Sequence, residues 1–200
     1  MGLLDKLLGR TKKSEKPSTP VTELNLNDIW FSLPTISNEF PLTVPLGNQT
    51  DFDIQIHEDD FRQNEFLKKS ARAAIETELS AINEVWNIYS KKGDGYTVFK
   101  VCHVRKTIGE PGLNIPFNDL KSLLNSSDAG QVIVNGAALA GGFVIKTQHT
   151  TYYGTLDQDL VTTLCLFEWS EQSIAEINAI NKSFNTLLVN WCQCEIMNHA

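Results

Sequence analysis

The sequence predicts an α+β fold, a single two-layer domain in which a mostly antiparallel sheet is packed by two long amphipathic helices. In residues 59–92, apolar side chains recur every three or four positions, which places them on one face of an α-helix. Residues 170–194 repeat that spacing. Residues 51–57 instead alternate apolar and polar side chains, as a half-buried strand does. Elements that are apolar on one side pack as layers, which favours the α+β class.

The chain is predicted to begin with a basic amphipathic tail and flexible linker, residues 1–22, followed by one α+β domain over residues 23–200. The first 22 residues contain five basic and two acidic side chains. Because the whole chain has a formal net charge of −7, the tail carries +3 and the remainder −10. Residues 11–22 are polar and contain two prolines, a composition typical of linkers.

Residues 1–10 are predicted to dock on a membrane surface or on a protein partner. Their four leucines share one helical face and two basic side chains lie near its edge, a pattern typical of peptides that bind at a membrane interface. The alternative is a start that only aids solubility or packs locally. The predicted docking residues are Leu3, Leu4, Leu7, Leu8, Lys6 and Arg10.

Two strands are predicted before the first long helix. Three prolines in residues 24–50 prevent a long helix there, and residues 42–46 suit an edge strand, where proline is tolerated. In residues 51–57, Ile54 and Ile56 are expected to face the core while the acidic and polar residues between them face solvent.

The first long helix, residues 59–92, carries end signals as well as periodicity. Asp60 can accept the free amides of a first turn, and Gln63 three residues later resembles a capping box. Lys91 and Lys92 suit the negative end of the helix dipole, and Gly93 can adopt the left-handed conformation that ends a helix. The span is well over twice the mean helix length, so a kink or an early break remains an alternative.

The rest of the chain is predicted to supply most of the sheet. A helical pattern with Leu120 on its buried side interrupts the strands, and a turn at residues 157–159 predicts a hairpin between the last two. Ser170 is a suitable N-cap for the second long helix, which is expected to end near Cys194. The predicted strands are 96–105, 131–134, 143–155 and 160–169, and the short helix is 117–125.

An acidic strand offers the densest candidate metal ligands. Asp51, Asp53 and His57 lie on one face of the predicted strand, and hard cations need several converging oxygens. A calcium loop is excluded because Ile56 stands where that loop requires glycine. A looser metal site on Asp51, Asp53 and His57 remains an alternative to an exposed strand face.

Other candidate sites are weaker. His103 and Arg105 share a strand face and could bind an anionic group, although basic side chains near a sheet edge also serve solubility. Cys192 and Cys194 with His199 have a spacing shorter than structural zinc sites use, so reduced thiols are favoured. The chain contains no G-x-S-x-G or P-loop motif, and no cofactor is predicted.

These observations favour a soluble cytoplasmic protein that acts as a non-enzymatic interaction or scaffold module with an N-terminal docking tail. The negative charge argues against nucleic-acid binding, and neither an export signal nor a membrane-spanning stretch is evident. The expected partner is another protein or a second copy of this chain, with peripheral membrane contact through the tail. The alternative is a metal-assisted or acid/base enzyme with its site near the acidic strand 51–57.

Overall fold

Short strands and three α-helices alternate along the chain in a computed structural model that describes residues 29–108, 112–126 and 129–197. This mixture confirms the predicted α+β class. The helices are α1 (Arg72–Tyr89), α2 (Phe117–Leu123) and α3 (Ile174–Phe184). The strands are β1 (Thr35–Ser37), β2 (Thr43–Val44), β3 (Ile54–Ile56), β4 (Asn64–Lys68), β5 (Ser90–Lys92), β6 (Thr97–Phe99), β7 (His103–Arg105), β8 (Ile115–Pro116), β9 (Val132–Val134), β10 (Ala137–Leu139), β11 (Gly142–Lys146), β12 (Thr151–Asp157), β13 (Leu160–Leu166), β14 (Thr186–Asn190) and β15 (Glu195–Met197).

The largest sheet is antiparallel throughout the described residues. Its strand order is β11-β12-β13-β4-β14-β15, and β8 pairs with β13 at the side of this path. The predicted hairpin between the last two strands of the central region is confirmed as β12–β13. The sequence-distant strands β4 and β14 complete the centre of the sheet.

A smaller sheet has the order β2-β10-β9-β3, in which β3 and β9 run parallel. Ile54 and Ile56 are buried and Gln55 between them is exposed, which confirms the inward face predicted for the acidic strand. The predicted edge strand in residues 42–46 is confirmed as β2, at the end of this sheet. The predicted strand 96–105 is divided into β6, which pairs with β5, and β7, which pairs with β1.

The two faces of the large sheet are covered by different elements. One face packs against α2 and α3, through Phe66 and Leu188 of the central strands and Leu120 and Ile177 of the helices. On the opposite face, Leu67 packs with α1 in one apolar cluster. A separate cluster joins the small sheet to β11, β12 and β13. The predicted two-layer arrangement is not confirmed, because apolar side chains of the central strands are buried on both sides of the sheet.

The first long helix is shorter than predicted. Residues 59–92 divide into a 3₁₀ turn (Glu58–Asp60), β4, a second 3₁₀ turn (Lys69–Ala71), α1 and β5. Asn64–Lys68 is a strand because β13 and β14 pair with it, and helical spacing cannot reveal such distant partners. The predicted cap also differs, since the side chain of His57 accepts the Asp59 amide.

The second long helix, predicted at 170–194, ends at Phe184. Asn185 follows it with φ of 53°, the left-handed conformation that asparagine tolerates and that stops a helix. The next residues form β14 and pair with β4. Leu187 and Leu188 point to opposite faces of a sheet that is covered on both, so their apolar run fits a buried strand as well as a helix.

No helix within residues 29–108, 112–126 and 129–197 is long and apolar enough to cross a lipid bilayer.

Candidate functional site

Three charged side chains are buried where the small sheet and α1 meet on one face of the large sheet. Arg62, Glu65 and Arg105 are 5%, 2% and 1% exposed. We call this group the arginine cluster. Charged residues are rarely buried unless they are paired, so the arginine cluster is either a candidate functional site or a structural link. It would link the apolar cluster of the small sheet, which contains Tyr153, to the apolar cluster of α1, which contains Trp191.

Glu65 is the centre of the arginine cluster. Its Oε1 accepts hydrogen bonds from Nε of Arg62 at 2.9 Å and from Nη2 of the same guanidinium. Its Oε2 accepts from Nη1 of Arg105 at 3.4 Å and from the indole nitrogen of Trp191 at 3.3 Å. Arg105 also lies 4.8 Å from the centre of the Trp191 ring and donates to the carbonyl of Arg62. One carboxylate thus holds two guanidinium groups.

The strands explain why these side chains meet. Glu65 lies on β4 opposite Cys165 on β13 and Val189 on β14, so it faces the same side as the α1 cluster. Arg62 precedes β4 and has φ of 63°, a conformation that is uncommon for a long side chain. Its amide donates to the Tyr153 hydroxyl at 3.0 Å. The unusual backbone turns the guanidinium of Arg62 back over the strand that follows it.

Burial and charge act in opposite directions on the arginines. Desolvation is the largest influence on both and lowers the pKa. For Arg62, the attraction and hydrogen bonding of Glu65 outweigh desolvation and leave the pKa above its ordinary value. For Arg105, desolvation prevails and the pKa is lowered, with Arg62 adding repulsion. Both guanidinium groups stay protonated at neutral pH, because arginine titrates far above it.

Arg62 also pairs with a fourth charged residue, Glu39. Nη1 of Arg62 forms an ion pair with the carboxylate of Glu39, whose side chain is 43% exposed. With Glu39, the arginine cluster has two positive and two negative charges. Nε of Arg105 is buried and makes no hydrogen bond within the described residues.

A cavity of about 320 Å³ opens beside Arg62 and Glu39. It forms where β4 separates from β13, since pairing between them covers only Phe66 and Glu65, and Leu113 pairs with Thr162 instead. We call it the arginine cavity. Its lining comprises Glu39, Arg62, Glu65, Phe66, Leu67, Thr107, Ile108, Gly112, Leu113, Thr162 and Thr163.

A second cavity of about 360 Å³ lies on the other side of Glu39. It shares Glu39, Thr162 and Thr163 with the arginine cavity, but Phe40, Leu42, Leu139 and Leu156 make it more apolar; we call it the apolar cavity. Next to it, Phe40, Leu42 and Val44 are 72%, 79% and 46% exposed. These three side chains form the apolar row, which follows the outer strand of the small sheet.

Asp53, the central residue of the predicted metal site, has other partners. Asp53 accepts hydrogen bonds from the Gln131 amide at 2.8 Å and from the Thr50 amide and hydroxyl at 3.0 and 2.9 Å. Burial is the largest influence on its pKa and raises it, yet these bonds together leave the pKa below its ordinary value. No group of three or more metal-binding side chains occurs in the described part of the chain. The metal site on Asp51, Asp53 and His57 stays a prediction.

The predicted anion-binding pair is divided between two partners. Nε2 of His103 lies 2.9 Å from Oε2 of Glu78 on α1, whereas Arg105 joins the arginine cluster. The sequence reading therefore identified one member of the cluster but missed Glu39, Arg62 and Glu65. The only local signal was that Glu65 directly precedes the apolar residues Phe66 and Leu67, and a helical interpretation does not predict its burial.

All four cysteines are free thiols. Burial raises the pKa of Cys192 to about 12, with Asp60 adding to the effect, and raises the pKa of Cys194 to about 11. Cys192 donates to the side-chain oxygen of Gln63. Neither sulfur is therefore prepared to act as a thiolate at neutral pH. His199 and the docking residues of the predicted tail lie outside the described residues.

No family model, no curated protein and no solved structure matches this chain.

Proposed function

We propose that this chain is a cytoplasmic, non-enzymatic interaction module that binds an amphipathic helix of a partner protein on the apolar row. The exposure of Phe40, Leu42 and Val44 beside an open apolar cavity carries this proposal. Large apolar side chains exposed together are typical of interaction surfaces.

The edge of the small sheet favours side-chain contact over strand addition. The carbonyl of Leu42 accepts the Ala140 amide, so the backbone of Leu42 faces β10. Positions 41, 43 and 45 therefore face outward, and two of them are proline. Proline has no amide hydrogen, so this edge offers little to an added strand. A helix can instead contact the apolar row through its side chains.

The apolar cavity can accept an anchoring side chain from that helix. Its volume of about 360 Å³ lies between Leu42 of the apolar row and Leu139 and Leu156 of the neighbouring strands. Burying one leucine or phenylalanine there contributes about 1.5–3 kcal/mol. Interfaces commonly obtain most of their affinity from a few such anchors.

Charge restricts the kind of helix. The chain has a formal net charge of −7, and Glu39 adjoins the apolar row. A helix with leucine or aromatic residues on one face and lysine or arginine beside it complements both features. The proposed partner segment is therefore apolar and basic.

The test is selection of binding peptides from a displayed library on the full-length protein. We expect enriched sequences with apolar residues at helical spacing and a net positive charge. Leu42→Lys is expected to weaken the binding of the selected peptides by at least about tenfold. The substitution removes an apolar contact and introduces a positive charge that repels the basic peptide.

Val104→Lys provides the matched control. Val104 is also an exposed apolar residue, at 55%, but it lies on β7 and lines neither cavity. Peptides should bind this variant as tightly as they bind the unchanged protein. Selected peptides that bind the Leu42→Lys variant with unchanged affinity, or a selection that yields no specific peptide, would contradict the proposed surface.

A further inference from the structure

We propose that the arginine cavity binds the carboxylate of a small aliphatic acid, and that the Glu39 side chain occupies the carboxylate position when the acid is absent. This site adjoins the apolar cavity and shares Glu39 with it, but neither proposal requires the other.

Arg62 is held in position before any ligand arrives. Its Nε and Nη2 donate to Glu65, and its amide donates to the Tyr153 hydroxyl. Its side chain is 6% exposed, so few other orientations are open to it. The nitrogen that remains, Nη1, forms an ion pair with the Glu39 carboxylate, and both residues line the arginine cavity. A fixed guanidinium of this kind suits carboxylate recognition, because little freedom is lost on binding.

The Glu39 side chain can leave this position when another carboxylate replaces it. It lies outside the strands, and its side chain is 43% exposed. Its backbone is fixed independently, since its amide donates to the hydroxyl of Ser37 at 3.2 Å. The side chain can therefore rotate towards water without breaking the chain contacts around it. When the partly exposed Glu39 carboxylate leaves Arg62, water can hydrate it. The Glu65 carboxylate is buried, so water could not hydrate it in the same way.

The charge of the arginine cluster requires a replacement anion. When Glu39 rotates out, Glu65 alone faces the two guanidinium groups of Arg62 and Arg105. A surplus positive charge would then be buried, which is unfavourable unless an anion compensates it.

The cavity wall specifies the rest of the ligand. Phe66, Leu67 and Leu113 supply apolar contact, whereas the hydroxyl groups of Thr107 and Thr162 already donate to Asn38 and to the Thr155 carbonyl. A volume of about 320 Å³ is near the lower limit of ligand pockets, about 300–1,000 Å³. A small molecule with one carboxylate and a short aliphatic chain satisfies both requirements. A second charged group would have no partner among the apolar wall residues.

The experiment uses hexanoate as the probe on the full-length protein, with hexan-1-ol as the uncharged analogue. Binding is followed by calorimetry and by amide chemical shifts around Leu113 and Thr162. We expect saturable binding of hexanoate to the unchanged protein. Glu39→Ala should lower the apparent Kd by at least about tenfold, because the site no longer has an internal competitor. The same acid should restore the thermal stability that the Glu39→Ala variant loses.

Glu58→Ala is the matched control, since Glu58 is an exposed carboxylate that contacts Asn135 outside the arginine cavity. It should leave hexanoate binding unchanged. Three results would each overturn the proposal: no binding of hexanoate to the unchanged protein, equal affinity in the Glu39→Ala variant, or equal stabilisation by hexan-1-ol.

Discussion

Glu65 shows how one residue can decide the stability of a whole region. Its carboxylate is 2% exposed and bonds to Arg62, Arg105 and Trp191, which come from three separate parts of the chain. Two buried guanidinium groups share this acceptor. Removing it would leave buried positive charges that Glu39 alone must balance.

We therefore expect Glu65→Gln to lower the free energy of unfolding by about 3–5 kcal/mol, the cost of breaking a buried ion pair from one side. Urea denaturation followed by tryptophan fluorescence measures this loss. The control is Glu76→Gln, which removes an exposed helical pair with Arg72. Such a pair contributes about 0.3–0.5 kcal/mol. A similar small change for both variants would show that the arginine cluster adds little stability.

Residue identity alone did not reveal the arginine cluster. Arg62 and Glu65 are three positions apart, a spacing that also suits an exposed helical pair. The difference between the two interpretations comes from β13 and β14, which enclose β4 and carry residue 65 into the interior. Burial of these charges is therefore a consequence of strand pairing with segments about a hundred residues later in the sequence.

At the scale of elements, the close approach of β12 and β13 is the most demanding feature. Gly154 on β12 lies opposite Leu164, and a Cβ at this position would overlap the carbonyl of Thr163 and touch the Phe143 ring. Glycine is required here because the neighbouring backbone fills the space of a side chain.

Gly154→Ala is expected to reduce the free energy of unfolding by about 1–3 kcal/mol, the typical cost of inserting a methyl group into a packed site. Chemical denaturation provides the measurement. At Gly47, a Cβ would meet only the end of the Gln131 side chain, which can move. Gly47→Ala should therefore change stability by less than about 0.5 kcal/mol. Equal effects at the two positions would argue that the strands can separate without cost.

The elements also show where periodicity is a reliable guide. It correctly predicted a helix within α1, where Ile75, Leu79 and Ile82 are buried at intervals of three and four residues. It failed in β14, where a strand buried on both faces has the continuous apolar run Leu187–Val189 without alternation, and in β4, where only Phe66 and Leu67 are apolar and the charged Glu65 is buried beside them. A short run of this kind becomes helix or strand according to its neighbours.

For the whole molecule, the uneven charge of the sequence predicts a role for the tail. Residues 1–22 carry +3 and the remainder −10, so an anionic membrane attracts one end and repels the other. We propose that the leucines of residues 1–10 and the neighbouring basic side chains contact that surface. This segment lies outside the described residues, so only the sequence supports the proposal.

Sedimentation with liposomes containing anionic lipid tests this role. The full-length protein should sediment with the liposomes, and a Leu4→Asp, Leu8→Asp double variant should remain in the supernatant, because charged side chains interrupt the apolar face. Each basic residue near the surface contributes about 1 kcal/mol, so added salt should weaken the association. Equal sedimentation of both proteins would remove the membrane role of the tail.

Local sequence signals correctly predicted the α+β class, the inward face of the acidic strand, the edge strand between two prolines and the β12–β13 hairpin. Each of these follows from local alternation, turn residues or backbone restrictions. The folded chain was needed to reveal that Asn64–Lys68 and Thr186–Asn190 are central strands and that helices cover both faces of the sheet. It was also needed to reveal that Glu39, Arg62, Glu65 and Arg105 meet beside a cavity. The reason is that strand pairing and charge burial depend on partners far apart in sequence, whereas periodicity reports only on a residue's near neighbours.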